Sequence, residues 1–294
     1  MQKVKVHLSL ARLFAAPVAI FSILLGSVLA PEGMTWLTFI AVLCGLCLMN
    51  YSHYMNSLTD YATGVDRKED GSMGKWYTAG SRILPLGLAS WREVTVGGLA
   101  WLAISGGLAW LISDQMSSYY PFWAWGIVVV LPFLYSPILK YKGFPEFIIL
   151  AGFGFAAVLL GYSAVSESMN WAVVTLAGLL SAFPLAIGET IDQWVDSPKD
   201  SKKGLINMAV ILYKADFPIW GYVAFAIPFI YMFQLLLIFK SYIADWTFLT
   251  ILIFPIWVLC IIDLKRESWK GIQFGLIGIY LYGLFLVIGQ LIAR

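Results

Sequence analysis

Asn56 and Asp60 stand four residues apart, a spacing that puts both on one face of a helix. Asp66 follows just after Gly64, a residue that lets a chain turn back on itself. A second group has the same step: Asp192, Asp196 and Asp200 recur every four residues. Like charges at that spacing repel and weaken a helix, so the arrangement makes sense if something positive sits among them. Oxygen donors suit a hard divalent cation, and Mg²⁺ in particular keeps several waters and bridges carboxylates to substrate phosphates. The six expected metal ligands are therefore Asn56, Asp60, Asp66, Asp192, Asp196 and Asp200. No histidine cluster or second Cys-x-x-Cys competes as a zinc site. His53 reads as a packing or hydrogen-bonding residue, and Cys44, Cys47 and Cys260 as small buried thiols.

Basic residues accompany both groups. Lys75 and Arg82 follow the first, Lys202 and Lys203 follow the second, and Lys140 and Lys142 lie between them in sequence. Two carboxylate clusters with Mg²⁺, plus Arg and Lys, form a clamp for a diphosphate. Glu69, Asp70 and Asp216 read instead as solvated loop charges.

The elements that must position these groups are membrane helices. Of 294 residues, 60% are hydrophobic and 12% charged, about half the charge of a typical soluble domain. A span needs roughly 20 apolar residues, and nine such runs are expected, at 10–30, 35–55, 94–112, 121–139, 147–165, 171–188, 217–239, 246–262 and 271–292. The expected fold is an all-α bundle of nine transmembrane helices forming a single domain over residues 1–294, with the N-terminus cytoplasmic and the C-terminus outside. That arrangement puts 17 of the 19 basic residues on the inner side, leaving only Lys240 and Arg294 outside, as the positive-inside rule requires. Both acidic groups then fall in the long inner connections 56–93 and 189–216. The net charge of +2 argues for no nucleic-acid partner. The expected location is the cell's inner membrane, with the site facing the cytoplasm and lipid around it.

On these residues the sequence resembles the UbiA superfamily of intramembrane prenyltransferases, over almost its whole length. Asn56, Asp60 and Asp66 match the motif after the family's second helix, and Asp196 and Asp200 the motif after its sixth, with Asp192 one turn earlier and Gly204 where the family has glycine. Ala11-Arg12-Leu13 is similar to the family's arginine near the start of helix 1. Gly64-Val65-Asp66, Gly80-Ser81-Arg82-Ile83-Leu84-Pro85 and the stretch from Tyr135 to Glu146 look most like the branch that prenylates 1,4-dihydroxy-2-naphthoate for menaquinone. The chain departs from that branch at Asp192-Gln193-Trp194-Val195, at Leu205 and Asn207, and at Pro145.

The resemblance implies Mg²⁺-dependent transfer of an isoprenyl group from an isoprenyl diphosphate to a small aromatic or lipid acceptor. Catalysis is expected from Asp60, Asp196, Arg82 and Lys75, and substrate binding from Asn56, Arg82, Lys75, Lys140, Lys142 and Tyr135. Tyr51, Tyr54, Trp76 and Trp194 are further aromatic candidates by position, with packing the ordinary alternative. The rival readings keep the site and change the acceptor (4-hydroxybenzoate, homogentisate, chlorophyllide, haem or a glyceryl lipid), or dispense with it in a membrane terpene cyclase. A secondary transporter fits less well, since its polar residues sit near the bilayer midplane in repeated halves.

Overall fold

A computed structural model describes residues 2–66, 83–143 and 145–294. The expected site residues Lys75 and Arg82, and the aromatic candidate Trp76, lie outside the described residues. Among the described residues every regular element is helical and none is a strand. In chain order they are α1 (Gln2–Ala11), a 3₁₀ turn (Leu13–Ala15), α2 (Ala16–Leu29), α3 (Trp36–Thr63), α4 (Trp91–Gln115) and α5 (Tyr120–Leu134). A π-helical stretch (Tyr135–Leu139) leads into α6 (Lys140–Lys142), then α7 (Glu146–Ile148), a second π stretch (Ile149–Ala156) and α8 (Ala157–Ser163). The last third comprises α9 (Trp171–Trp194), α10 (Ser197–Lys202), α11 (Met208–Lys214), α12 (Ile219–Phe239), a 3₁₀ segment (Asp245–Ile253), α13 (Phe254–Lys265) and α14 (Lys270–Ile292).

Eight of the described helical runs are long and apolar enough to cross a membrane, and Tyr120–Leu134 is an apolar helix of 15 residues. The protein is an integral membrane protein. Its α12 turns Phe225, Met232 and Phe239 outward, which acyl chains can solvate and water cannot.

Boundaries differ from expectation where they matter most. Helix α3 continues to Thr63 instead of stopping at 55, so Asn56 and Asp60 are helical residues and not loop residues. Helix α9 continues to Trp194, so Asp192 is helical as well. The step Asp192–Asp196–Asp200 is not one helix: α9 ends, Asp196 takes the N-cap position of α10, and Asp200 lies inside α10. The first span is broken at Arg12, which adopts the left-handed conformation with φ 45° and ψ 53°.

Side-chain caps set several starts. Thr35 and Thr38 form a reciprocal capping box at α3, and Ser90 and Glu93 another at α4, each satisfying amides that the first turn leaves unpaired. Helix α3 ends at Gly64, whose φ of 72° a side chain would oppose. Helices α2 and α8 touch backbone to backbone: a Cβ on Gly161 would lie 1.9 Å from the Ile23 carbonyl oxygen, and one on Gly26 2.1 Å from that of Val158. Ser27 Oγ bridges the pair by donating to the Gly161 carbonyl at 2.8 Å, the small-residue contact that membrane helices favour. At the far side of the bundle the fully buried Gln234 receives Thr250 Oγ1 and Tyr282 OH, each at 2.9 Å, and donates to the Thr247 carbonyl at 2.8 Å. That network satisfies backbone freed by the 3₁₀ segment, which lipid could not do.

Candidate active site

Three corners of the bundle are stitched together around one cavity. At the end of α3, the Gly64 turn brings the Asp66 amide back to the Asp60 carbonyl at 3.2 Å. Lys203, just past α10, donates to the Val65 carbonyl at 2.5 Å and so ties the second acidic segment to the first. The Ile206 amide donates to the Lys140 carbonyl at 2.7 Å, and the Met208 amide to Glu146 Oε1 at 2.8 Å. These bonds hold the segment after α10 against the α6–α7 corner.

The cavity they enclose measures about 220 Å³. All six expected metal ligands, Asn56, Asp60, Asp66, Asp192, Asp196 and Asp200, line it, as do Tyr135 and Lys140. Lys142 does not line it and is exposed: the short α6 turns successive side chains in different directions, and only Lys140 faces inward. Of the described aromatic candidates Tyr135 alone lines the cavity; Tyr51 donates to the Val129 carbonyl at 3.1 Å, Tyr54 meets His7 Nδ1 at 2.8 Å, and Trp194 packs edge-on to Tyr213.

Charge within the cavity is mixed. Lys140 Nζ lies 2.7 Å from Asp60 Oδ1, with the two side chains 15% and 5% exposed, and 4.6 Å from the Tyr135 ring centroid. Gln193 Nε2 donates to Glu189 Oε1 at 2.8 Å. Burial and the Asp196 carboxylate push Asp200 up to about 6, against the pull of Lys140, Lys203 and Lys199. Among the described residues no three His, Cys, Asp or Glu side chains stand close enough to hold a metal ion alone. The donors nevertheless suit Mg²⁺, which takes one or two carboxylates and completes its shell with water and substrate phosphate. Asp192 Oδ1 and Gln193 Oε1 are buried without a hydrogen-bond partner, the state of an oxygen that awaits a ligand.

A second cavity of about 160 Å³ adjoins the first and runs deeper between α2, α3, α5 and the second π stretch. Its walls are mostly apolar, among them Ile23, Leu48, Val128, Leu131 and Leu160. Arg12, His53, Asn56, Tyr135, Ile149, Phe153 and Glu189 line both cavities. Both π stretches contribute to that shared wall, where the wider helical turn redirects Tyr135, Ile149 and Phe153.

Sequence reasoning did not place Glu189 at the site; it grouped Lys203 with the basic residues of the clamp, and it matched Arg12 to a family arginine without assigning it a role. Glu189 had a readable signal: it precedes Asp192 by three residues on the same helix and extends the acidic ladder by one turn. Arg12 had only its likeness to the family's arginine near the start of helix 1, because its entry into the cavity depends on the left-handed break in the first span.

The sequence profile of the UbiA prenyltransferase family matches residues 19–285. No curated protein matches the chain. Solved structures do. Digeranylgeranylglyceryl phosphate synthase is 18% identical, with a TM-score of 0.62 and coverage of 99% of both chains. A UbiA homologue from Aeropyrum pernix K1 is 15% identical, with a TM-score of 0.67 over 96% of this chain and 97% of its own. A UbiA homologue from Archaeoglobus fulgidus, bound to DMAPP and Mg²⁺, is 17% identical, with a TM-score of 0.55 over 96% of this chain and 99% of its own; the same homologue has been solved with GPP and Mg²⁺. At these identities the structures share the fold, and with the profile covering most of its length, this chain belongs to the UbiA prenyltransferase family.

Proposed function

We propose that the chain transfers an isoprenyl group from an isoprenyl diphosphate to an aromatic, quinone-precursor-like acceptor inside the membrane. One observation carries the reading: a polar cavity lined by six oxygen donors and by Lys140 shares a wall with an apolar chamber in the bundle. The family supports it, as do the homologue structures holding DMAPP or GPP with Mg²⁺.

Asn56, Asp60, Asp66, Asp192, Asp196 and Asp200 would hold Mg²⁺, which supplies positive charge to neutralise the diphosphate as it leaves. Lys140, Lys203 and Arg12 add fixed positive charge on the same cavity, so the leaving group meets preorganised partners. Arg82 and Lys75 complete the expected set. Tyr135 and Phe153 line the junction of the two cavities, where the allylic cation would form and needs shielding from water. The polyprenyl tail would lie between helices, open to lipid, and the chamber's apolar walls exclude solvent from the reacting carbon. The whole chain, 1–294, acts as one domain, with the run Tyr120–Leu139 as a ninth crossing, the N-terminus cytoplasmic and the cavity facing the cytoplasm at the inner membrane. The 1,4-dihydroxy-2-naphthoate branch is the favoured acceptor class, on the segments around Gly64, Gly80 and Tyr135.

Asp60→Ala and Asp196→Ala test the site. Each abolishes turnover while the protein still inserts and folds. A double variant retaining Mg²⁺-dependent prenyl transfer would overturn the assignment.

A further inference from the structure

Helix α3 records the passage from one cavity to the other. Gly45, Leu48, Met49 and Ser52 line only the apolar chamber, His53 and Asn56 line both cavities, and Asp60 lines only the polar one. His53, Asn56 and Asp60 share one face at steps of three and four. Seven residues of helix separate the levels of His53 and Asp60 by about 10 Å. A diphosphate held at Asp60 therefore points its allylic carbon toward the level of Asn56 and His53, and a reaction partner must approach there from the chamber.

His53 Nε2 is buried at this junction without a hydrogen-bond partner. Eight side-chain atoms share that condition among the described residues, and four of them, on Arg12, His53, Asp192 and Gln193, belong to residues lining the polar cavity. Leaving a buried polar atom unmatched costs about 1–3 kcal/mol, so the concentration of such atoms at one place marks where a ligand's polar groups belong. The Asp192 and Gln193 oxygens lie on α9 with the acidic ladder and suit the cation side. His53 lies one turn deeper than Asn56, at the mouth of the apolar chamber, and suits the other substrate.

We propose that His53 recognises the acceptor, with its Nε2 hydrogen-bonded to a hydroxyl group on a flat apolar body seated in the chamber. The inference rests on the prenyl-transfer reading above. A hydroxyl fits either tautomer of a neutral imidazole, because it both donates and accepts; a carbonyl or ether satisfies only one. A ring hydroxyl held this way also feeds electron density to its neighbouring ring carbons, the atoms that must attack the allylic cation.

The test compares His53→Leu, which keeps bulk and removes the polar atom, with His53→Gln, whose amide reaches the Nε2 position. The probes are 1,4-dihydroxy-2-naphthoate, 4-hydroxybenzoate and their deoxy counterparts 2-naphthoate and benzoate, measured by calorimetric binding to purified protein and, for the hydroxylated pair, by acceptor KM, with Mg²⁺-dependent geranylgeranyl diphosphate binding as the control. His53→Leu is expected to weaken hydroxyaryl binding by about tenfold, the worth of one buried hydrogen bond. It should leave diphosphate binding unchanged, while His53→Gln restores most of the loss. For wild type, removing the hydroxyl reproduces the His53→Leu loss, and the variant no longer distinguishes the deoxy probe from the hydroxylated one. If wild type consumes diphosphate but binds neither hydroxyaryl probe, the inference and the aromatic acceptor both fall while the isoprenyl diphosphate chemistry stands; if His53→Leu binds the probes as wild type does, the inference is overturned and the function stands. Equal weakening of diphosphate and acceptor in His53→Leu also overturns it, as a general structural defect. A wild type that consumes no isoprenyl diphosphate with Mg²⁺ overturns the function itself, and the inference with it.

Discussion

Lys140→Met removes the ammonium facing Asp60 while keeping a chain of similar length. The 2.7 Å contact joins two side chains that are 15% and 5% exposed, so in the metal-free protein Lys140 serves as a counter-ion that an incoming cation must displace. A hydrogen bond between charged groups contributes about 1.5–3 kcal/mol, and every 1.4 kcal/mol is roughly tenfold in affinity. Without the lysine, Mg²⁺ should bind in the absence of diphosphate about ten- to a hundredfold more tightly. The same change removes one partner of a buried carboxylate and should lower the metal-free protein's stability by up to about 3–5 kcal/mol. Calorimetric Mg²⁺ titration in detergent, paired with thermal unfolding with and without Mg²⁺, reads both effects. The variant should show the tighter Kd, the lower metal-free Tm and the larger rise in Tm on adding Mg²⁺, together with slower turnover because the diphosphate loses a cation. Unchanged or weaker Mg²⁺ binding, with an unchanged metal-free Tm, would refute the view that lysine and metal compete for Asp60.

Three further outcomes follow from the same geometry. Asp196→Asn should lower prenyl transfer by at least about a hundredfold, the scale of losing charge stabilisation of a leaving group, while detergent-solubilised protein keeps its helical circular dichroism and elution volume. Asp200, pushed up to about 6, holds its proton below that pH, so Mg²⁺ affinity should fall as pH drops from about 7 to about 5; Asp200→Asn flattens that slope, and a steep slope surviving in the variant would assign it elsewhere. Gly161→Ala places a methyl 1.9 Å from the Ile23 carbonyl oxygen and should cost about 1–3 kcal/mol or more, seen as a lowered Tm; Ala tolerated at full stability would contradict the α2–α8 contact.

Composition made the helical membrane fold legible, because a chain this apolar has no aqueous solution. The acidic spacing made the cavity legible too, since all six oxygen donors converge on it. Helix ends were harder. Polar residues such as Asn56, Asp60 and Asp192 look like loop to a reading based on apolar runs, yet a helix can extend past the apolar run when its polar face lines a cavity. The broken first span at Arg12 and the two π stretches left no trace in periodicity, since each is a local backbone departure enforced by packing. Lys142 illustrates the same limit: its charge and neighbourhood were right, but rotation about a three-residue helix points it away from the cavity. His53 was expected to be satisfied by its surroundings and instead presents a bare nitrogen to the shared wall.

The most direct measurement incubates purified protein with Mg²⁺ and geranylgeranyl diphosphate, with and without 1,4-dihydroxy-2-naphthoate, and identifies products by mass spectrometry. A prenylated naphthoate should form only when diphosphate, acceptor and Mg²⁺ are all present, and should disappear in Asp60→Ala. Diphosphate release with a cyclised or hydrolysed hydrocarbon would keep the cavity's chemistry and contradict the acceptor. Absence of any Mg²⁺-dependent consumption, across shorter and longer isoprenyl diphosphates, would contradict the central claim.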